Sequence, residues 1–526
     1  MPLSFRERSR STISIALVVF TLFSSARAHA QANHKLAPVG GRTTLVGGTG
    51  LVYGRDSASV FLNPATIVRI DPGRLAFSVN FYSLSLLSLP SWYQPGSVDA
   101  RFGNIPKDKA SISSFDFDPL PGSLCLFLRA HDIPFLSREN ARETQARLGF
   151  CISTVQSSFY GLSDESYAQK TSYGMTRQAG TMRQTMRRFA VGPSYAMYVD
   201  DHLAVGASVQ LSRASFRSYI SNTTTTSVGD DQMVNSALLA TGHGDSHEIK
   251  FSIGATYRRG HQTTALSIDS PSLHLFGSGG TNAYTNYDGT GGAVYNRAAD
   301  GKFAINTPLR IAVGTGYESS IGSAELNVSF NAPLGKAYEA SFTGNTYSST
   351  GGVATDTPAS LNFSARSRGA VNIGLGGELF LTKKISILGG FSTDYSAVPQ
   401  GALGNDPLHF FSHSTSNVST SFGVGSHGEG GDLLLGGELG YGWGDRLAVN
   451  PYVLPARLEP TSEHVYSLLI VLAGSTSFRA IRRAVSDIAG TAPPPKDKPT
   501  LPEKMKTDAQ TEEVVEEKTV VQEKAK

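Results

Sequence analysis

The chain has 526 residues, a net charge of +3, 55 glycines, two cysteines and 17% charged residues. So small a charge on so long a chain gives no case for nucleic acid or an acidic substrate as partner. The glycine content speaks against long helices, since each helical Gly costs about 1 kcal/mol relative to Ala. Length alone would allow three or four soluble domains of about 150 residues, unless the chain forms one large β unit.

Residues 1–30 read as an export signal. Arg6, Arg8 and Arg10 form a basic start, Ile13 to Phe23 an apolar run, and Ala28-His29-Ala30 a small-x-small cleavage site. That run is shorter than the roughly 20 residues of a membrane helix, and no later segment has the length and hydrophobicity of one. The mature chain is expected to start at Gln31 and either to stay soluble outside the cytoplasm or to enter a membrane as a barrel. Cys125 and Cys151 would then meet an oxidising compartment, where a disulfide can form. The spacing leaves open whether they are bonded or are two small apolar residues on neighbouring strands.

Period-2 alternation dominates the middle of the chain. Leu203, Val205, Ala207, Val209 and Leu211 alternate with Ala204, Gly206, Ser208, Gln210 and Ser212. Ile311 and Val313 alternate with Arg310, Ala312 and Gly314; Leu375 and Leu379 with Asn372 and Glu378; Leu433, Leu435, Leu439, Tyr441 and Trp443 share a face. Successive side chains of a strand point to opposite faces, so one face is apolar and the other small, polar or charged.

The pattern predicts about fourteen strands between residues 75 and 478. Short connections (200–202, 258–262, 319–322, 382–383, 428–430) alternate with long ones (88–121, 161–186, 220–246, 270–305, 332–365, 392–413, 445–462) rich in Gly, Ser, Thr, Asn and Tyr. An even number of antiparallel strands with short periplasmic turns and long external loops is the code of a transmembrane β-barrel. Lipid offers backbone groups no hydrogen-bond partner, so only a closed sheet survives there. The connection 131–146 breaks the rule: it is long and charged where a short turn is due, marking either a periplasmic helix or a miscounted strand. Tyr195, Tyr198, Tyr219, Tyr257, Tyr317, Tyr441 and Trp443 sit at strand ends, as in an interfacial girdle.

The last strand, Tyr466 to Phe478, resembles a terminal strand recognised by the barrel-assembly machinery, although Phe478 is not the chain end. Beyond it, 479–488 read as a short basic amphipathic helix. Pro493-Pro494-Pro495 ends that helix, and the Pro-, Lys- and Glu-rich stretch to Lys526 is expected to be disordered, because it cannot bury enough apolar surface.

Residues 46–70, VGGTGLVYGRDSASVFLNPATIVRI, resemble the N-terminal plug of the outer-membrane long-chain fatty-acid transport (FadL-like) family, above all in Asn63-Pro64-Ala65. Residues 191–211, 306–318 and 372–396 are similar to strands of the same family. With the strand count, the resemblance covers most of 45–478. It implies an all-β chain: a signal peptide 1–30, a hatch 31–73, a transmembrane antiparallel β-barrel of about fourteen strands at 74–478, and a periplasmic helix and tail at 479–526. It further implies a monomer in the outer membrane that captures hydrophobic molecules outside and releases them through a lateral route in the wall. Asn63, Pro64 and Ala65 match the hatch motif. The external loops do not visibly match the family, and the tail is extra.

Independently of the resemblance, Phe81, Leu84, Leu86, Trp92 and Tyr93 make an apolar strand end and loop suited to touching an apolar ligand; the plainer reading is an interfacial or loop-packing patch. His243/His247 and His409/His413 have the i, i+4 spacing of metal ligands, but that spacing joins imidazoles only on a helix. Gly244-Asp245-Ser246 lacks the strand and tight turn that present a nucleophile. Gly277 to Gly280 lacks the helix of a phosphate cradle. Arg183, Arg187 and Arg188 could hold lipopolysaccharide phosphates at an outer rim, or be a solvated loop. No cofactor, metal or enzymatic set is expected. Passive uptake of hydrophobic compounds, with long-chain fatty acids as one candidate cargo, leads; the alternative is a structural or adhesive barrel whose loops bind partners. A ligand-sized apolar cleft discriminates between them.

Overall fold

The computed structural model describes residues 39–89, 112–118, 122–130, 145–171, 174–228, 232–287, 293–404, 410–428, 430–450, 457–478 and 480–481. Nineteen strand segments join one antiparallel sheet. Five strands are interrupted once, so the segments make fourteen staves. β1 is Arg74–Leu89, and β2 is the broken strand Ile112–Asp118 and Ser123–Arg129. β3 to β6 are Arg147–Thr171, Gly174–Tyr198, Leu203–Val228 and Gln232–Arg259. β7 is Gln262–Asp269 with Leu273–Tyr287, and β8 is Ala293–Ile305 with Arg310–Ser319. β9 is Gly322–Asn331 with Leu334–Thr350, and β10 is Val353–Ser367 with Ala370–Phe380. β11 to β14 are Ile385–Asp394, Ser416–Gly428, Gly431–Asn450 and Arg457–Ser477.

β14 pairs back onto β1, from Arg74 opposite Ser477 to Ser88 opposite His464. The sheet therefore closes on itself as a barrel, the arrangement that lets strands cross lipid. Alternation sorts the faces as the sequence predicts. Val313 is 53% exposed and points outward, while its neighbour Ala312 is 1% exposed and points in. Leu375, Leu379, Leu433, Leu435 and Leu439 also face out, whereas Asn372 and Glu378 are buried inside. Tyr257, Tyr317, Tyr441 and Trp443 are exposed on the outer face. Tyr198 is not: it turns inward and packs against the interior.

The long connections differ from the sequence reading. Residues 161–186, 220–246, 270–305 and 332–365 are mostly strand, as hairpins that carry the barrel well beyond its apolar belt. Their outward faces are largely polar, rich in Ser and Thr, so no apolar alternation reveals them, yet β-branched and aromatic side chains still favour the pleat. The breaks in β7 to β10 lie side by side, and the upper pieces pair with one another rather than with β11. Residues 395–415, between β11 and β12, contain an inward-packed loop whose Ala397, Val398, Phe410 and Phe411 are buried. β2 and β3 meet on the short-turn end of the barrel, so the count of staves holds there; residues 131–144 lie outside the described residues.

Residues 39–73 precede β1 and lie inside the barrel. α1 (Gly41–Leu45) packs against β11 to β14, and a 3-10 helix (Pro64–Arg69) packs against β3 to β6, with α2 (Ser59–Leu62) next to it. Almost every residue of the segment is buried. Cys125 and Cys151, opposite each other on β2 and β3, are joined by a disulfide. Residues Phe478–Lys526 form a separate unit, of which only 478, 480 and 481 are described; the expected helix and disordered tail, like residues 1–38, otherwise lie outside the described residues.

Candidate functional site

Among the described residues, the interior holds a cavity on each side of the N-terminal segment. The cavity toward the long hairpins has a volume of about 430 Å³, and Thr43, Thr44, Gly47 and Leu62 of the segment form part of its floor. The cavity toward the short turns, about 750 Å³, touches the other side of the segment at Arg42, Arg55, Asp56 and Arg69.

Among the bonds that fix the segment to the wall are those of Asn63, Glu325, Glu378 and Glu318. Asn63 is fully buried; its Oδ1 accepts from the Ala65 N–H at 3.1 Å and caps the 3-10 helix that Pro64 opens. Its Nδ2 donates to the Leu51 carbonyl at 2.8 Å and to Ala255 of β6 at 3.4 Å. The approach depends on wall glycines: a Cβ on Gly254 would lie 1.9 Å from Asn63 Oδ1, and one on Gly206 2.6 Å from Ala65 N.

Glu325 of β9 accepts from the backbone N–H groups of Gly50 (2.9 Å), Val52 (2.9 Å) and Tyr53 (3.0 Å). Arg42 donates to Glu378 of β10 at 2.7 Å and to the Tyr53 carbonyl at 3.0 Å. Burial alone would lower the Arg42 guanidinium, but Glu378, Asp56 and Glu325 outweigh it and hold Arg42 above its ordinary range. Glu318 receives Arg55 and, at 3.3 Å, Arg69.

The first cavity has an aromatic side. Phe216 of β5, Phe303 of β8 and Tyr338 of β9 surround Phe410 of the inward loop, with ring centroids 5.2 Å (Phe216–Phe410) and 4.1 Å (Tyr338–Phe410) apart. Phe216, Ile305, Ala337, Phe410 and Phe411 line the cavity. Gln184 Nε2 donates to the Phe410 carbonyl at 3.3 Å and helps pin the loop. His413, on the same loop, is held down at about 3 by burial and by the nearby Arg446 charge, so it is neutral. The other side is polar, including Arg310, Asn372, Asp394 and Glu438. A volume of this size with an aromatic side suits a small apolar or amphipathic molecule.

β3 departs from regular pairing beside this cavity. Its register with β4 shifts between Thr154 and Gln156, so Val155 is an inserted, buried residue. Gln156, Ser157 and Ser158 then all line the cavity. A bulge of this kind bends its strand and breaks the in–out alternation.

The residues singled out by sequence separate into two groups. Asn63, Pro64 and Ala65 are together inside the barrel. Leu84 and Leu86 line neither cavity: Leu86 is 47% exposed, opposite in direction to the buried Leu87. A register shift between Asn80 and Tyr82 leaves Phe81 as the inserted residue and reverses the phase of the strand. Leu84 shares the face of Leu86, and Trp92 and Tyr93 lie outside the described residues. Arg183 and Arg187 face outward on β4, a strand rather than a loop, while Arg188 faces in and meets Glu248 at 3.1 Å. His243 and His247 share the outer face of β6, His247 stacking on Phe276; His409 lies outside the described residues. Glu325 and the Phe216–Tyr338–Phe410 cluster went unnoticed in the sequence. Their signal is an acid or a large apolar residue on the otherwise small, inward face of a strand.

No model of a known protein family matches the sequence, and comparison with curated proteins finds no relative. Among solved structures, a Pseudomonas aeruginosa FadL homologue superposes with a TM-score of 0.50 at 13% identity, over 85% of this chain and all of that one. The Ralstonia pickettii toluene transporter TbuX gives 0.46 at 14% identity, over 84% and 98% of the two chains. The Pseudomonas putida toluene transporter TodX gives 0.49 at 13%, over 84% and 98%. At these identities the likeness is one of fold, a fourteen-stranded barrel like that of the FadL homologue.

Proposed function

We propose that the chain is a passive uptake channel for hydrophobic compounds in an outer membrane, with residues 39–73 as its hatch. The observation that carries this reading is the aromatic-walled cavity of about 430 Å³ between the inward loop and the N-terminal segment. A structural or adhesive barrel has no use for an internal, ligand-sized apolar volume. Ligand would enter past the loop that holds Phe410 and Phe411, rest against Phe216 and Ile305, and leave when the segment shifts or through the bulge at Val155. The driving force is transfer of apolar surface out of water, about 25 cal/mol per Å², with no energy source required. Long-chain fatty acids are one candidate cargo; smaller hydrocarbons fit the cavity with less rearrangement.

The experiment compares cells making wild type, Phe410→Ala/Phe411→Ala, Asn63→Ala or no protein, at matched barrel levels. Uptake of a labelled long-chain fatty acid and of labelled toluene is followed separately. Wild-type uptake above background, changed in the loop and hatch variants, is expected for at least one of the two. Background-level uptake of both would move the adhesive reading to first place.

A further inference from the structure

Three neighbouring strands change character at one level of the outer wall. Val191 of β4, Leu211 of β5 and Ile249 of β6 are in register and complete the apolar belt. The next outward row is Phe189, Arg213 and His247; then come Arg187, Ser215 and Asp245; then Thr185, Arg217 and His243; then Arg183, Tyr219 and Thr241. Four arginines and two histidines therefore stand directly above lipid-facing side chains, on the hairpin side of the barrel. Among the described outward residues of these rows on β4 to β6, Asp245 is the one acid; Asp300 of β8 faces out two strands further on, level with His243. Asp245 bridges Arg213 (3.1 Å) and Arg217 (2.8 Å), which nonetheless remain 58% and 47% exposed. Beside them, a groove of about 320 Å³ is lined by Arg183, Thr185, Arg217, Tyr219, Thr241 and His243.

From this arrangement we infer a binding site for a phosphorylated, multiply acylated lipid of the outer leaflet, lipopolysaccharide in a Gram-negative envelope. The inference rests on the outer-membrane reading above. The chemistry matches in two parts. Guanidinium groups bind phosphate oxygens bidentately and, unlike ammonium groups, hold a defined geometry. Acyl chains of the same molecule would lie along Phe189, Val191, Leu211 and Ile249, whereas free phosphate has nothing to place there. Asp245 holds two of the arginines in position and also competes with the phosphate for them. Strands fix all these side chains on a rigid sheet, so the site needs no folding of a loop around the lipid.

The test uses the full-length protein in a non-ionic detergent and native mass spectrometry with three probes: bisphosphorylated lipid A, its phosphate-free form, and inorganic phosphate. Wild type is expected to retain lipid A and to bind the phosphate-free lipid at least about tenfold more weakly, the worth of one or two charge-assisted contacts. Arg183→Gln/Arg187→Gln/Arg213→Gln/Arg217→Gln should lose lipid A to the same degree, and Arg259→Gln, at the opposite end of the barrel, should not. Asp245→Asn should bind lipid A more tightly, a gain that misfolding cannot mimic. Equal retention by the quadruple variant, equal binding of the phosphate-free lipid, or displacement of lipid A by millimolar phosphate would each overturn the site. None of these outcomes bears on uptake, which is measured separately.

Discussion

Glu325→Gln isolates the hold of the wall on the N-terminal segment. The native carboxylate takes three backbone N–H bonds at 2.9 to 3.0 Å and is itself buried. Hydrogen bonds to a charged group contribute roughly 1.5–3 kcal/mol each. The amide keeps one acceptor oxygen but turns an NH2 toward an N–H, so at least one of the three bonds is lost and one donor is left facing another. A cost of roughly 2–5 kcal/mol falls on docking of the segment, which at about 1.4 kcal/mol per tenfold raises its undocked fraction about 30-fold or more. The barrel itself should be spared, since β9 keeps its backbone pairing with β8 and β10 regardless of this side chain. Amide exchange of Gly50, Val52 and Tyr53 in detergent is the assay, with heat-modified gel mobility as the check on the barrel. Glu339→Gln, an exposed acid on the same stave that pairs with Lys336, is the control. Unchanged protection of those three amides in Glu325→Gln would refute the claim that the carboxylate anchors the segment.

Further expectations follow from the wall, the disulfide and the loop. Val313→Arg places a charge on the outward belt at a cost of about 2–4 kcal/mol and should cut folded barrel yield, whereas Val313→Leu should not; equal yields would argue against a lipid-facing belt. Replacing both Cys125 and Cys151 by Ala opens a cross-link spanning 26 residues. It should cost about 3 kcal/mol and lower the temperature of the gel-mobility transition. His413 sits at about 3 in the folded chain against about 6.5 when released, so the released state binds the proton and folding weakens as pH falls below 6.5. At pH 5 the loss is about 2 kcal/mol, with no effect above neutrality; His413→Gln should remove most of the difference between transitions measured at pH 5 and 7.5.

The barrel was legible because its physics is periodic. A wall between lipid and a packed polar interior imposes one alternation on every stave, and Leu203 to Ser212 or Arg310 to Gly314 show it without help from any neighbour. The hairpins above the belt were not legible, because water on the outer face removes the apolar half of the signal. Phe81 shows a second limit: one inserted residue reverses a strand's phase, and no local pattern announces it. Asn63-Pro64-Ala65 could be assigned to an interior N-terminal segment only through the resemblance of its motif to the FadL-like hatch. The anchoring carboxylate Glu325 could not, lying 272 to 275 residues further along the chain than the amides it holds.

The same division bears on cargo. Inward charges on the staves come with counter-charges: Lys250 and Arg310 on Asp269 at 3.0 and 3.4 Å, Arg188 facing Glu248, Arg446 facing Glu463 at 3.1 Å. Breaking such a buried pair strands a charge and costs several kcal/mol, so the stave interior is a fixed, ion-paired frame with little freedom to adapt to a ligand. The apolar surface that an apolar molecule would seek comes instead from upper strand pieces and from two segments that are not staves, residues 39–73 and the loop of 395–415. Exchange of those two segments between barrels of this fold should therefore move ligand preference with them, while exchange of the staves below the breaks should leave it in place.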